Sequence, residues 1–291
     1  MARLASGRAS RTARMTAAIR YRHFLGGAKP LVIADREAGL FLDWRSAAWA
    51  MPTPVSDWAF GRALGPMRGI EGEVLARSRL VEDRFDALIG EGLAQVLVLG
   101  AGFDTMALRR ATSGCTFFEV DHPATQSEKQ AILAQKHRRC DHIRFVPVDF
   151  ARDDLVTALT KAGFDPAART LVSWLGVTMY LEQSVSVQTL TRLRPLLGTG
   201  SEVVFDAYPR REELAPGEEW LFAGMKAFTA SRGEPMIGAF NSPAFAEAMA
   251  DSGYAISEIL NGDAMATRWF ANQPHMIRPP RSVLLYRLTV I

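Results

Sequence analysis

The chain has 291 residues, is 48% apolar and 22% charged, and carries a formal net charge of +3. That balance excludes a disordered or fibrous chain and suits one large domain with room for an insertion. There is no run of about 18 uncharged apolar residues and no apolar leader-like core at the N-terminus, so neither a membrane span nor a secretory leader is expected, and the expected setting is cytoplasmic. The two cysteines, Cys115 and Cys140, are too few for a disulfide framework and fit no metal-ligand spacing, so they are expected to be reduced and no metal site is expected.

Between Met1 and Ala34 lie seven basic residues and no acidic one: Arg3, Arg8, Arg11, Arg14, Arg20, Arg22 and Lys29. Ala13, Ala17, Ala18 and Ile19 recur among them at helical intervals. This predicts a packed helix over residues 12–24 with a basic outer face, in preference to an arm for nucleic acid. Residues 31–42 read as a short mixed segment. Residues 44–66, punctuated by Pro52, Pro54 and Pro66 and carrying Trp49 and Trp58, read as an irregular cap. A helix is predicted over 71–89, with Val74, Leu75, Leu80, Val81, Phe85, Leu88 and Ile89 on one face.

The pattern then changes. QVLVL at 95–99, bounded by glycines, reads as a strand buried on both faces. A helix start at 104–111 follows, then strand 116–120, helix 126–138, strand 142–148, helix 154–162, strand 170–175, helix 182–197 and strand 201–205. Such alternation predicts an α/β fold with a largely parallel sheet and helices on both faces. It stops at 206–240, where two helical patterns and RGEPMIG (232–238) mark an insertion. A helix at 244–252 and strands at 254–260 and 282–291 complete the chain.

The most informative stretch is VLVLGAGFDT (96–105), which sets Gly100 and Gly102 at the carboxyl end of the first strong strand. Glycines there let the backbone turn tightly and approach a ligand. The next strand ends on Glu119, Val120 and Asp121, and Glu119 lies 17 residues after Gly102, near the spacing of a ribose-binding acid. Glu119 and Asp121 are expected to face different sides and to do different jobs. Asp149 ends the third strand, placed to meet an adenine amino group with Phe150 against the ring. The competing reading is that the glycines only turn the chain and that Asp104 and Asp149 cap helices. A dinucleotide fits less well. Thr105 stands where its fingerprint has a third glycine, and Asp104 would face a pyrophosphate. S-adenosylmethionine carries no phosphate and has a sulfonium and an amino group, which suit a nearby carboxylate.

Five segments, ARSRLVEDRFD (76–86), VLVLGAGFDTMALR (96–109), FFEVDHPATQSEKQ (117–130), FVPVDF (145–150) and SWLGVTMYL (173–181), together resemble the leucine carboxyl methyltransferase superfamily of S-adenosylmethionine-dependent enzymes, in its bacterial and mycobacterial branch. GEPMIGAF (233–240) and SGYAISEILNGDAMATRWF (252–270) are similar to that branch as well. The resemblance implies a class I methyltransferase (Rossmann-like) fold with a seven-stranded, mostly parallel sheet whose last strand is reversed. It implies a helical cap over 1–90, a cofactor-binding core over 91–205, an insertion over the acceptor site at 206–250 and the final strands over 251–291. By the same resemblance Arg77 pairs with the methionyl carboxylate and Gly100 and Gly102 lie beneath the methionine. Asp121 is the cofactor-binding acid with Glu119 beside it at the ribose, and Asp149 with Phe150 replaces an Asp-Leu pair at the adenine. Leu175 departs from the pattern, because many relatives have a glutamate there.

The implied reaction is transfer of a methyl group to a small-molecule carboxylate or hydroxyl. Methylation of a protein's terminal carboxylate and a non-catalytic module binding the cofactor or nucleic acid are the alternatives. No catalytic residue is assigned. His122, His137, His142 and His275 read as turn or surface residues, and Tyr180 reads equally as an acceptor-facing or a core residue. The acceptor is expected at the insertion, which holds Tyr208, Arg210, Arg211, Trp220, Phe222, Met225 and Phe228.

Overall fold

The computed structural model describes residues 11–58, 68–150, 152–231, 233–274 and 277–291. Arg3, Arg8, Pro66, Arg232 and His275, singled out above, lie outside them, as does the side chain of Arg11. Seven strands form one sheet: β1 (Gln95–Leu99), β2 (Thr116–Asp121), β3 (Ile143–Pro147), β4 (Thr170–Trp174), β5 (Glu202–Ala207), β6 (Tyr254–Leu260) and β7 (Leu284–Val290). Their order is β3-β2-β1-β4-β5-β7-β6. Pairs among β1 to β5 are parallel, and β7 runs antiparallel to both β5 and β6. The strand order reverses between β1 and β4, which opens a crevice at their carboxyl ends where ligands of such sheets bind.

Period-two alternation divides the core into two layers. Val96, Val98, Phe117, Leu171 and Val204 face a helical layer built from α1 (Arg11–Gly26) and α3 (Gly69–Ile89). Leu97, Leu99, Phe118, Val172 and Phe205 face the opposite layer, where α7 (Gln183–Leu193) and α9 (Ser242–Asp251) pack. Phe205 stacks on Tyr286 of the reversed strand, with ring centroids 5.1 Å apart and planes within 5°. That contact seats β7 beside β5.

Several elements differ from their sequence reading. Residues 44–66 are not irregular at their start: α2 (Trp44–Ala50) is helical, because the Asp43 carboxylate accepts from Ser46 N–H at its N-terminus. The short α4 (Met106–Arg109) is a single turn. Helix α5 (Pro123–Gln135) begins three residues early, since Pro123 is tolerated in a first turn and the His122 ring caps it. The remaining helix of the core, α6 (Leu155–Lys161), is capped by Asp154. Among the described residues between 206 and 240 there is one α-helix, α8 (Glu219–Ala230), preceded by a single 3-10 turn at Arg211–Glu213, and not two α-helices. The eight-residue α10 (Gly262–Trp269) has too short a period to read in advance; the Asn261 side chain caps it.

The basic face of α1 is not turned outward. Arg20 and Arg22 are each 6% exposed. Arg20 pairs with Asp35 at 2.8 Å, Arg22 pairs with Asp57, and Arg14 pairs with Glu128. Arginine stems pack on apolar surface while their heads find partners, so Arg14, Arg20 and Arg22 are spent on partners within the protein, while Lys29 is exposed. No helix among the described residues is long and apolar enough to cross a membrane.

Candidate cofactor and acceptor site

The turn after β1 is shaped by backbone conformation. Gly100 and Gly102 have φ of +67° and +46°, values that L side chains adopt only with strain. Gly100 N–H and Ala101 N–H both donate to the Val120 carbonyl, at 2.9 and 3.0 Å. One Asp121 carboxylate oxygen accepts from Gly102 N–H, and the other accepts from His122 N–H at 2.6 Å. Asp121 therefore ties the β1 turn to the end of β2. Burial pushes its carboxyl above the usual range, and the two N–H donors pull it part of the way back. A side-chain carbon added at Gly100 would come within 2.4 Å of Val177 Cγ2, and one at Gly102 within 3.0 Å of Ala13 Cβ. The turn thus lies between the loop after β4 and helix α1.

The other predicted residues fall into three groups. Asp104 accepts from Met106 N–H at 2.7 Å, which is a helix-start role, and its carbonyl accepts from Lys129 Nζ. Glu119 is 1% exposed and forms an ion pair with the equally buried Lys129 at 2.6 Å. The expectation that Glu119 and Asp121 face different sides is corrected: residues two apart on one strand share a face. Their different surroundings come from depth: Glu119 is buried against Lys129, whose Nζ lies over the Phe41 ring, while Asp121 is half-buried. Asp149 and Phe150 follow β3, and Phe150 is 40% exposed.

Arg77 lies elsewhere, on the far side of the β4 loop. Its Nη1 sits 3.0 Å from Glu73 Oε1 and 3.0 Å from Asp206 Oδ2. Asp206 Oδ1 accepts from Gly176 N–H at 2.6 Å, and the Tyr208 hydroxyl donates to Glu73 Oε1. The group joins α3, the β4 loop and the end of β5. With both acids ionised it carries one net negative charge. Burial drives the Glu73 carboxyl up to about 7, against the pull of Arg77. Burial also raises Tyr208 and Tyr180. Glu73 and Asp206 were not legible as site residues. The available signal was an i, i+4 Glu-Arg pair on an otherwise apolar helix face, with an acid closing the strand VVFDA.

Arg77, Gly176, Glu73 and Tyr208 open onto a pocket of roughly 700 Å³ counted with its mouth. Tyr180, Met225 and Phe228 of the predicted acceptor residues line it. Trp220 instead stands 52% exposed, and Phe222 is packed in the core against Tyr208. Arg210 and Arg211 are exposed. None of the described histidines lines the pocket. His122 caps α5, and His142 Nε2 contacts the Ala107 carbonyl at 2.8 Å. Leu175 packs against the core and supplies no charge.

The chain has relatives among known proteins, in sequence and in fold. A Bacillus subtilis (strain 168) protein, provisionally named as an S-adenosyl-L-methionine-dependent methyltransferase, is 31% identical over 202 residues, covering 68% of this chain and 66% of its own length. A similarly named protein of Mycolicibacterium paratuberculosis is 32% identical over 204 residues, covering 67% of this chain and 63% of its own. The chain thus spans a little less than two thirds of these relatives. A crystal structure from Thermobifida fusca, provisionally described as a methyltransferase, shares the fold, with a TM-score of 0.60 at 15% identity over 99% of this chain and 97% of that one. The family profile of leucine carboxyl methyltransferases matches residues 13–194, which contain the glycine turn, the β2 acid and Arg77. The chain belongs to the leucine carboxyl methyltransferase family.

Proposed function

We propose that this chain is an S-adenosylmethionine-dependent methyltransferase that O-methylates a small-molecule carboxylate or hydroxyl. The observation that carries the reading is the pairing of a left-handed glycine turn at the strand-order reversal with a partly apolar pocket across the β4 loop. The residues present fit the donor. Gly100 and Gly102 leave space a side chain would fill, and the Arg77, Glu73 and Asp206 group complements a ligand with one cationic and one zwitterionic part. Gly100 and Gly102 are the proposed seat of the methionine part, and Asp104, Asp121, Asp149 and Phe150 form the proposed adenosyl side. Arg77 is the proposed partner of the methionyl carboxylate, held by its two acids with Nη2 toward Gly176.

The donor supplies an activated methyl group. The chain's own part is to align the acceptor and to exclude water. Helix α1 and the β4 loop flank the turn, and Met225 with Phe228 wall the pocket. Calorimetry with S-adenosylmethionine, S-adenosylhomocysteine and NAD tests the donor. Binding of NAD with no binding of either adenosyl-sulfur compound would refute it. Labelled methyl transfer to a metabolite extract, with and without protease treatment, tests the acceptor. Label lost on protease treatment would instead identify a protein acceptor.

A further inference from the structure

We infer that Glu73 holds the ammonium group of the methyl donor through its carboxylate oxygen Oε2, beside an Arg77 that takes the donor's carboxylate. The inference rests on the methyltransferase reading and deepens it, by assigning a partner to the end of the donor for which Leu175 supplies no charge.

The two acids of the Arg77 group have four carboxylate oxygens, and three are engaged. Asp206 Oδ1 accepts from Gly176 N–H, and Asp206 Oδ2 accepts from Arg77 Nη1. Glu73 Oε1 accepts from Arg77 Nη1 and from the Tyr208 hydroxyl. Glu73 Oε2 has no hydrogen-bond partner, although the residue is 1% exposed and lines the pocket. A buried acceptor left unpaired is costly, and native interiors rarely keep one without a reason.

The neighbours of that oxygen select a cation attached to a carboxylate. Glu73 and Arg77 lie one turn apart on α3 and share a face, with Oε1 and Nη1 3.0 Å apart. An amino acid carries its ammonium and carboxylate on one carbon, so an adjacent anion and cation match it. Arg77 Nη2 lies toward Gly176, at the carboxyl end of β4. The group's net negative charge favours an added cation. The other unbonded polar atoms of the pocket wall compete less well. Glu71 Oε2 has Arg68 Nε at 3.7 Å as its own cation, and burial keeps the Tyr180 hydroxyl neutral.

A proton linkage follows. Burial raises the Glu73 carboxyl to about 7. An ammonium against Oε2 favours the ionised form and lowers that value. Donor binding near pH 7 therefore expels a proton, and donor affinity rises with pH through that range. The groups that face Glu73 are Arg77 on its own helix and Asp206 and Tyr208 from the end of β5. Arg68 and Glu71 lie earlier on α3 and Tyr180 on the β4 loop, while the described pocket residues of α1 and α8 carry no titratable side chain.

The test is calorimetry on the full chain with S-adenosylhomocysteine and with its deamino analogue, in which hydrogen replaces the amino group. Wild type should bind S-adenosylhomocysteine about tenfold or more tightly than the analogue, the size of one hydrogen bond between charged groups. Glu73→Gln should remove most of that preference and change affinity for the analogue by less than about threefold. At pH 7, in buffers of different ionisation enthalpy, S-adenosylhomocysteine should release about half a proton from wild type and the analogue none. Equal affinity of wild type for the two compounds overturns the inference. So does a Glu73→Gln loss of the same size for both, which would show that Glu73 acts only by holding Arg77. The proton count is read on wild type alone, so it decides the matter even where the variant does not fold, and equal counts for the two compounds overturn the inference. Wild type that binds neither compound would instead refute the methyltransferase reading, and the inference with it.

Discussion

The two walls of the crevice are built by different means. On the turn side, Gly100, Gly102 and Asp121 come from one strand-turn-strand step, and their shape is held by φ angles and by N–H groups donating to one carbonyl and one carboxylate. On the pocket side, Glu73, Arg77, Gly176, Asp206 and Tyr208 come from three distant segments, with Glu73 and Tyr208 separated by 135 positions. Shape there is held by charge. A wall made of backbone conformation is insensitive to pH and intolerant of side chains. A wall made of buried ions has the opposite weaknesses, and substitutions should separate the two.

The largest effect is expected from Arg77→Met. The substitution keeps most of the volume but leaves Glu73 and Asp206 buried without their cation. Removing one partner of a buried pair typically costs about 3–5 kcal/mol. Urea unfolding at pH 8 should show a loss in that range, and at pH 5 a smaller one, because Glu73 then holds a proton. An equal loss at both pH values would show that packing, and not charge, makes this wall.

Next comes the pH dependence of Glu73 itself. Its folded-state value is raised from 4.5 to about 7, so the folded chain binds this proton more tightly than the unfolded chain. Its stabilising contribution is complete below about 4.5 and is lost as pH rises through about 7. Glu73→Gln removes that dependence. Relative to wild type, the variant should gain stability between pH 5 and pH 8, by an amount on the order of 3 kcal/mol at most. Parallel denaturation curves at the two pH values would sink this assignment.

Gly100→Ala tests the other wall. At φ of +67° the new methyl is strained, and it meets Val177 Cγ2 at 2.4 Å, an atom that a small shift of the β4 loop moves aside. A loss of about 1–2 kcal/mol, the same at pH 5 and pH 8, is expected from urea unfolding. S-adenosylmethionine affinity should fall about tenfold or more in calorimetry, since the turn is the proposed seat of the donor.

The difference between the walls also explains what was legible in the sequence. The sheet from β1 to β5 was readable because short apolar runs alternate with capped helices, and each strand end is local information. The turn was readable for the same reason: VLVLGAG states its own conformation. Glu73 and Asp206 look like an unremarkable surface acid and a strand-end acid until the fold brings them to one guanidinium. Glu119 shows a related gap: its spacing matches a ribose acid, but spacing carries neither depth nor partner, and the Lys129 that pairs with it arrives from α5. The arginines of α1 failed likewise, because a helical period shows which residues share a face but not which partners that face meets.

The smallest expected effect lies at the rim of the turn side. Phe150 is 40% exposed, so its removal takes little from the core. If its ring packs on adenine, Phe150→Ala should weaken S-adenosylmethionine by about threefold to tenfold, the worth of a partly exposed aromatic contact. Urea unfolding should move by less than about 0.5 kcal/mol, as for other surface substitutions. Phe150→Leu, which restores an apolar side chain, should recover most of the affinity. The pair of variants sharpens the comparison because neither touches the ions of the pocket. A loss of S-adenosylmethionine affinity with stability unchanged at both pH 5 and pH 8 would show that the rim serves the donor apart from the ions of the pocket. A stability change that differs between the two pH values would mean that the rim orders the β4 loop, and with it the pocket.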